Sequence, residues 1–146
     1  MDVMRIAFPL VALIALAGCG ADDEEPAATT PPPSSPEVVL DIRFDDGDGE
    51  TDTASLRCAA GEPEAEGYLS GADAAELCAS ALELDSLLTE EPPARRVCTQ
   101  IFGGPQTARV TGTLDGEDVD RRFSRENGCR IAEWDRLQRA GLLPGP

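Results

Sequence analysis

Of the side chains that carry covalent chemistry, this 146-residue chain offers cysteines, carboxylates and arginines, and neither histidine nor lysine. That absence removes Ser/His/Asp and Cys/His nucleophiles, histidine-bearing zinc motifs, the P-loop lysine and Schiff-base catalysis. A pair of its 28 acidic residues could still do acid/base work, but one small domain leaves little room for a deep cleft. The run Asp45-Asp46-Gly47-Asp48-Gly49-Glu50-Thr51-Asp52 has the composition of a calcium loop. Counted from Asp46, however, it puts threonine where the EF-hand needs glycine and Arg57 where it needs the closing glutamate. A hairpin tip is the better reading. No metal, no cofactor and no enzymatic activity are expected. A net charge of −16 also argues against nucleic acid, which needs a basic surface.

The cysteines come next, and their compartment decides their chemistry. Met1 to Arg5 form a short head, followed by an apolar run from Ile6 to Ala17 broken only by Pro9. The run is too short for a membrane span and suits a signal peptide. It ends in Leu16-Ala17-Gly18-Cys19, which looks like the lipobox of bacterial lipoproteins. Residues 1–18 are therefore expected to be a leader, and Cys19 the lipidated first residue. Acyl chains there would anchor the protein to the outer side of a bacterial cell membrane, an extracytoplasmic position. Residues 19–36 read as a tether: Asp22-Asp23-Glu24-Glu25 is a like-charge block, and Pro31-Pro32-Pro33-Ser34-Ser35-Pro36 favours a solvated, extended chain. Export places Cys58, Cys78, Cys98 and Cys129 in an oxidising compartment, so two disulfides are expected. Spacing alone leaves all three pairings open, and the intervals are too long for zinc.

One cysteine opens an unusual stretch, Val97-Cys98-Thr99-Gln100-Ile101-Phe102-Gly103-Gly104-Pro105-Gln106. An isoleucine and a phenylalanine stand between polar residues and a glycine-rich turn. The segment is either a buried strand end or an exposed loop shaped to be gripped by a partner.

The elements that must position it fall within residues 37–143. Val38, Leu40, Ile42 and Phe44 alternate with polar or exposed positions, a strand with one buried face. Ala54, Leu56 and Cys58 continue on its hairpin partner. Ser70, with Asp73 three residues on, has the form of a helix start. Ala74, Leu77, Cys78, Ala81 and Leu82 then make one helical stripe, and Glu90-Glu91-Pro92-Pro93 ends it. Ala108, Val110, Gly112 and Leu114 form another strand. Asp115-Gly116 is the strongest local hairpin signal, with Val119, Arg121 and Phe123 on the return. Asn127-Gly128 reads as a turn. A second helix from Cys129 carries Ile131, Trp134 and Leu137 inward, with Glu133–Arg136 and Asp135–Arg139 as surface pairs. A short extra strand is expected near Arg95 to Cys98. The fold class is α+β, an antiparallel sheet of about five strands with two helices on one face.

This order of elements and cysteines resembles the Streptomyces subtilisin inhibitor family over about Val38 to Trp134. The landmarks are Leu56-Arg57-Cys58-Ala59-Ala60-Gly61, Cys78 on the first helix, Cys98 before a loop, Gly116 in the late hairpin, and Phe123 before Asn127-Gly128-Cys129. The resemblance implies bridges Cys58–Cys78 and Cys98–Cys129, often a homodimer, and a rigid loop that a subtilisin-like serine protease binds as substrate. Carried over by position, Thr99 is second before the scissile bond, Gln100 is the specificity residue, and Ile101 and Phe102 follow the cut. Asn127 would lie behind the loop and hydrogen-bond its backbone. Thr99 stands where the family commonly has proline, and Gly103-Gly104-Pro105 replaces an aspartate-proline turn. Arginine without lysine fits an actinobacterial, GC-rich genome. Two functions follow: a membrane-anchored protease inhibitor with Gln100–Ile101 as its reactive bond, or a non-inhibitory envelope module, binding or structural, that keeps the fold.

Overall fold

The computed structural model describes residues 36–145; the expected leader, Cys19 and all of the expected tether before Pro36 lie outside the described residues. Alternation builds the sheet. In β1 (Val38–Asp45), Val38, Leu40 and Ile42 are buried while Asp41 and Arg43 are exposed. This strand lies at the centre, antiparallel to β2 (Thr51–Cys58) on one side and to β4 (Thr107–Leu114) on the other. In register, Leu40 faces Leu56 and Gly112, and Ile42 faces Ala54 and Val110. Gly112 has φ 136°, and a Cβ there would overlap the carbonyl oxygen of Val39, so the close strand approach requires glycine.

The β4–β5 hairpin turns at Asp115 (φ 50°) and Gly116 (φ 87°), the two left-handed residues of a type I′ turn. From there β5 (Glu117–Ser124) returns antiparallel. The fifth strand is β3 (Glu64–Gly67), paired with β2, so the sheet order is β3-β2-β1-β4-β5. The strand expected near Arg95 to Cys98 is absent. Its backbone makes no ladder, and Val97 is fully exposed.

Three helices, not two, are seen among the described residues. Asp73 itself caps α1 (Ala74–Glu83), its carboxylate accepting from Ala75 N at 2.9 Å and Glu76 N at 3.1 Å. Ser70, expected as the cap, lies in the preceding turn. A carboxylate two and three residues before the orphan amides satisfies both at once. The chain breaks at Leu84 and resumes as α2 (Asp85–Thr89). The last helix, α3 (Gly128–Arg139), starts where a turn was expected: Asn127 is its cap, Oδ1 accepting from Arg130 N at 3.1 Å. It stops before Gly141, at φ 75°.

The helices bury Leu77, Ala81, Leu88, Trp134 and Leu137 against the even-numbered positions of β1, β2 and β4 and the odd-numbered positions of β5. Each of the three leucines contributes roughly 1.5–3 kcal/mol of transfer free energy. Two disulfides complete the α+β domain. Cys58–Cys78 ties β2 to α1, and Cys98–Cys129, Cα atoms 5.3 Å apart, ties the stretch before β4 to the first turn of α3.

Candidate functional site

The stretch from Cys98 to Phe102 has no regular secondary structure and stands outside the core. Thr99 and Gln100 are exposed, Ile101 keeps 59% and Phe102 68% of its surface in solvent. Of the two forms the sequence allowed, this is the exposed loop. Isolated surface apolar residues need no explanation. Three within six positions, Val97, Ile101 and Phe102, on a loop tied down at both ends, do.

The ties share one platform. Cys98 is bonded to Cys129. Gly128 N donates to Thr99 O at 3.0 Å, and at the other end Gly103 N donates to Arg125 O at 2.7 Å. The segment Arg125–Cys129 therefore holds the loop before and after its crest, and Gln100, Ile101 and Phe102 span the gap as an arch. Close packing explains two glycines. A Cβ on Gly128 would overlap Thr99 Oγ1, and one on Gly103 would press on Ile131. Behind the exit, Arg125 Nη1 donates to Gln106 Oε1 at 3.1 Å.

Asn127 stands next to these ties without making one: its side-chain oxygen is used on Arg130 N. The backbone bonds expected from Asn127 come instead from its neighbours, Gly128 N–H and Arg125 C=O. Asn127 sets where the platform helix begins. Gln100 bends back on its own backbone, Nε2 donating to Cys98 O at 3.4 Å, a weak bond that a partner could replace.

Glu133 is the residue that sequence reasoning misplaced. Expected as a surface partner of Arg136, it is 5% exposed. It accepts from Arg96 Nη2 at 2.6 Å and from Arg130 Nη1 at 3.2 Å. Arg96 lies two residues before Cys98 and Arg130 one after Cys129, so this carboxylate runs a second, ionic link beside the disulfide. A buried charge needs such partners. No local pattern could reveal one of them, 37 residues away; the only hint was that position 133 adjoins the inward Trp134.

Elsewhere, a hollow of about 500 Å³ lies on the uncovered face of the sheet, lined by Asp41, Arg43, Thr53, Glu66 and Arg109 among others, away from the loop. There Arg109 grips Asp120 with both Nε and Nη2 at 2.8 Å. That hydrogen bonding holds the Asp120 carboxyl below its ordinary value, with the charges of Arg109 and Arg122 acting the same way. Among the described residues no group of three His, Cys, Asp or Glu side chains is placed to hold a metal.

No protein-family model matches the chain, and no curated protein matches it. Among solved structures, it is similar to sermetstatin of Streptomyces caespitosus, crystallised in complex with Bacillus licheniformis subtilisin. The identity is 24%, over 76% of this chain and 100% of that one, with a TM-score of 0.40. What defines this protein's class here is its own geometry: an α+β domain with two disulfides and one braced, outward arch. The function proposed below rests on that arch.

Proposed function

We propose that the protein inhibits extracellular serine proteases by offering residues 98–102 as a substrate that is hard to release. Gln100–Ile101 is the reactive bond, and lipidation at Cys19 anchors the inhibitor to the membrane. The observation that carries this is the arch: three exposed residues between two backbone anchors on one platform, with a disulfide at the entry.

An extended segment adds backbone hydrogen bonds to a protease's edge strand, while one side chain fills the specificity pocket. Pre-ordering by the ties keeps the entropy lost on docking small. When the enzyme's serine attacks the Gln100 carbonyl, an acyl-enzyme forms and the Ile101 amine leaves. That amine is held near by Gly103 on Arg125 O, and the acyl half by Cys98. The amine then competes with water for the ester, and religation restores the bond. The chain acts on an enzyme and is not one.

The test is titration of the mature chain against subtilisin and chymotrypsin, followed by mass analysis of the Gln100–Ile101 bond. Slowed turnover at near-equimolar ratio with the bond largely intact supports inhibition. Rapid, complete digestion there by every protease tried ends it. A second reading, a non-inhibitory envelope module, draws on the hollow of the open sheet face. Under that reading, substitutions at Gln100 leave partner capture unchanged while Arg43→Glu abolishes it.

A further inference from the structure

Which enzyme the arch fits is written in which of its peptide bonds remain free. We infer that the target is a serine protease whose specificity pocket is lined with hydrogen-bonding groups and receives a neutral amide, rather than an apolar-pocket or acidic-pocket enzyme. This rests on the inhibitor reading and narrows its partner.

The platform fixes the register. The Thr99 carbonyl accepts from Gly128 N, and the Gly103 amide donates to Arg125 O. A protease cannot wrap either peptide without breaking a scaffold bond. Phe102–Gly103 is therefore withdrawn from attack although Phe102 is 68% exposed and would suit an apolar pocket. Thr99–Gln100 is withdrawn likewise. Between the two ties, two peptide bonds remain, Gln100–Ile101 and Ile101–Phe102. A side chain entering a pocket must reach and turn, and Ile101 is branched at Cβ and stiff at χ1. Gln100 is unbranched and exposed, and only the weak contact to Cys98 O holds it.

The chemistry of the amide then selects the pocket. Buried in apolar walls, it strands two donors and an acceptor. An apolar pocket rejects a polar near-isostere by about 100-fold, while a pocket built to hydrogen-bond rejects the analogue lacking the group by about 10⁴–10⁵-fold. A pocket with a carboxylate at its base, made for lysine or arginine, finds no cation here. Ile101 at 59% and Phe102 at 68% exposure offer apolar contacts on the leaving side, so the recognised pattern is a polar residue followed by two large apolar ones.

The experiment uses the mature chain and the variants Gln100→Met, Gln100→Arg and Ile101→Val. Inhibition constants are measured against a serine endopeptidase that cleaves after glutamine or glutamate, against subtilisin and against trypsin. The native chain is expected to inhibit the first at least about 100-fold more tightly than the other two. Gln100→Met is expected to invert the order of the first two, Gln100→Arg to move the preference to trypsin, and Ile101→Val to leave the native order unchanged. New termini after residue 100 should appear on long incubation. The inference is overturned if native protein prefers subtilisin and Gln100→Met shifts that constant less than about 3-fold, a result that leaves the inhibitor reading standing. Failure of every variant against every enzyme overturns both.

Discussion

Removing Arg96 should damage the protein more than neutralising Glu133, although the two form one ion pair. Glu133 is 7% exposed by its side chain, whereas Arg96 and Arg130 keep 33% and 32%. With Arg96 gone, a buried carboxylate is left with one partner at 3.2 Å. Breaking a buried pair costs about 3–5 kcal/mol when the remaining charge has no other partner; with Arg130 still in place, about 2–3 kcal/mol is expected. In Glu133→Gln the amide oxygen still accepts from one guanidinium while the other turns to water, so about 1 kcal/mol is expected. Arg96→Met is the better variant than Arg96→Ala, since it keeps the packed stem. Urea unfolding followed by the fluorescence of the single tryptophan, Trp134 at 1% exposure, reads both. In a thermal melt followed by the same signal, each 1 kcal/mol is worth roughly 4 °C for a domain of this size. An Arg96→Met variant within about 0.5 kcal/mol of native, or a costlier Glu133→Gln, would refute the reasoning.

Gly128→Ala places a methyl on Thr99 Oγ1 and should speed cleavage at residue 100 by about tenfold, a loss of roughly 1.4 kcal/mol of pre-ordering. Thr99→Ala in the same chain should restore most of it, read by timed mass analysis. Replacing Cys98 and Cys129 together opens a bridge of sequence separation 31; the chain-entropy estimate is a loss of about 3.5–4 kcal/mol, and the loop should become an ordinary substrate. Asn127→Ala removes the α3 cap and should cost about 1 kcal/mol in urea unfolding, with faster loop cleavage. The single tyrosine, Tyr68, donates to Leu142 O at 2.9 Å, and burial, aided by the Asp52 charge, pushes its phenol well above the ordinary value. The unfolded phenol ionises near pH 10 while the folded one remains protonated. Its stabilising contribution is therefore complete below pH 10 and falls as pH rises beyond it. Tyrosinate absorbance should appear with unfolding and not before.

What could be read without coordinates follows physical range. The alternation of Val38, Leu40 and Ile42 is a two-residue period, and Asp115-Gly116 is a two-residue turn with its own backbone demand; both are local and both are found. The break at Leu84 between α1 and α2 carries neither glycine nor proline to mark it. β3 has no apolar alternation, since Glu64, Glu66 and Gly67 are exposed and only Ala65 is half-buried; its pairing to β2 is an act of backbone, invisible in side-chain types. Asn127 reads as part of a turn in sequence because Asn-Gly serves turns and helix caps alike. At the site, the loop's position after Cys98 was legible and its exposure was not, because Ile101 and Phe102 have the same composition buried or free.

The stiffness of the arch has an origin that the loop's own residues do not supply. Thr99 has no ring to lock φ, as a proline there would, and Gly103 and Gly104 add freedom at the exit. Yet each backbone tie ends on Arg125–Gly128, and the disulfide on Cys129. These residues are held by the Asn127 cap and, one to three turns on, by Glu133, Trp134 and Leu137, all buried. Rigidity is thus lent by α3 to a loop more than twenty residues earlier in the chain. It follows that Asn127 and Glu133 act on the arch without touching it: each sets where the first turn of α3 sits, and that turn carries the donor for Thr99 O. A loop made stiff by its platform keeps its freedom to vary residue by residue at the crest, which is where Gln100 stands.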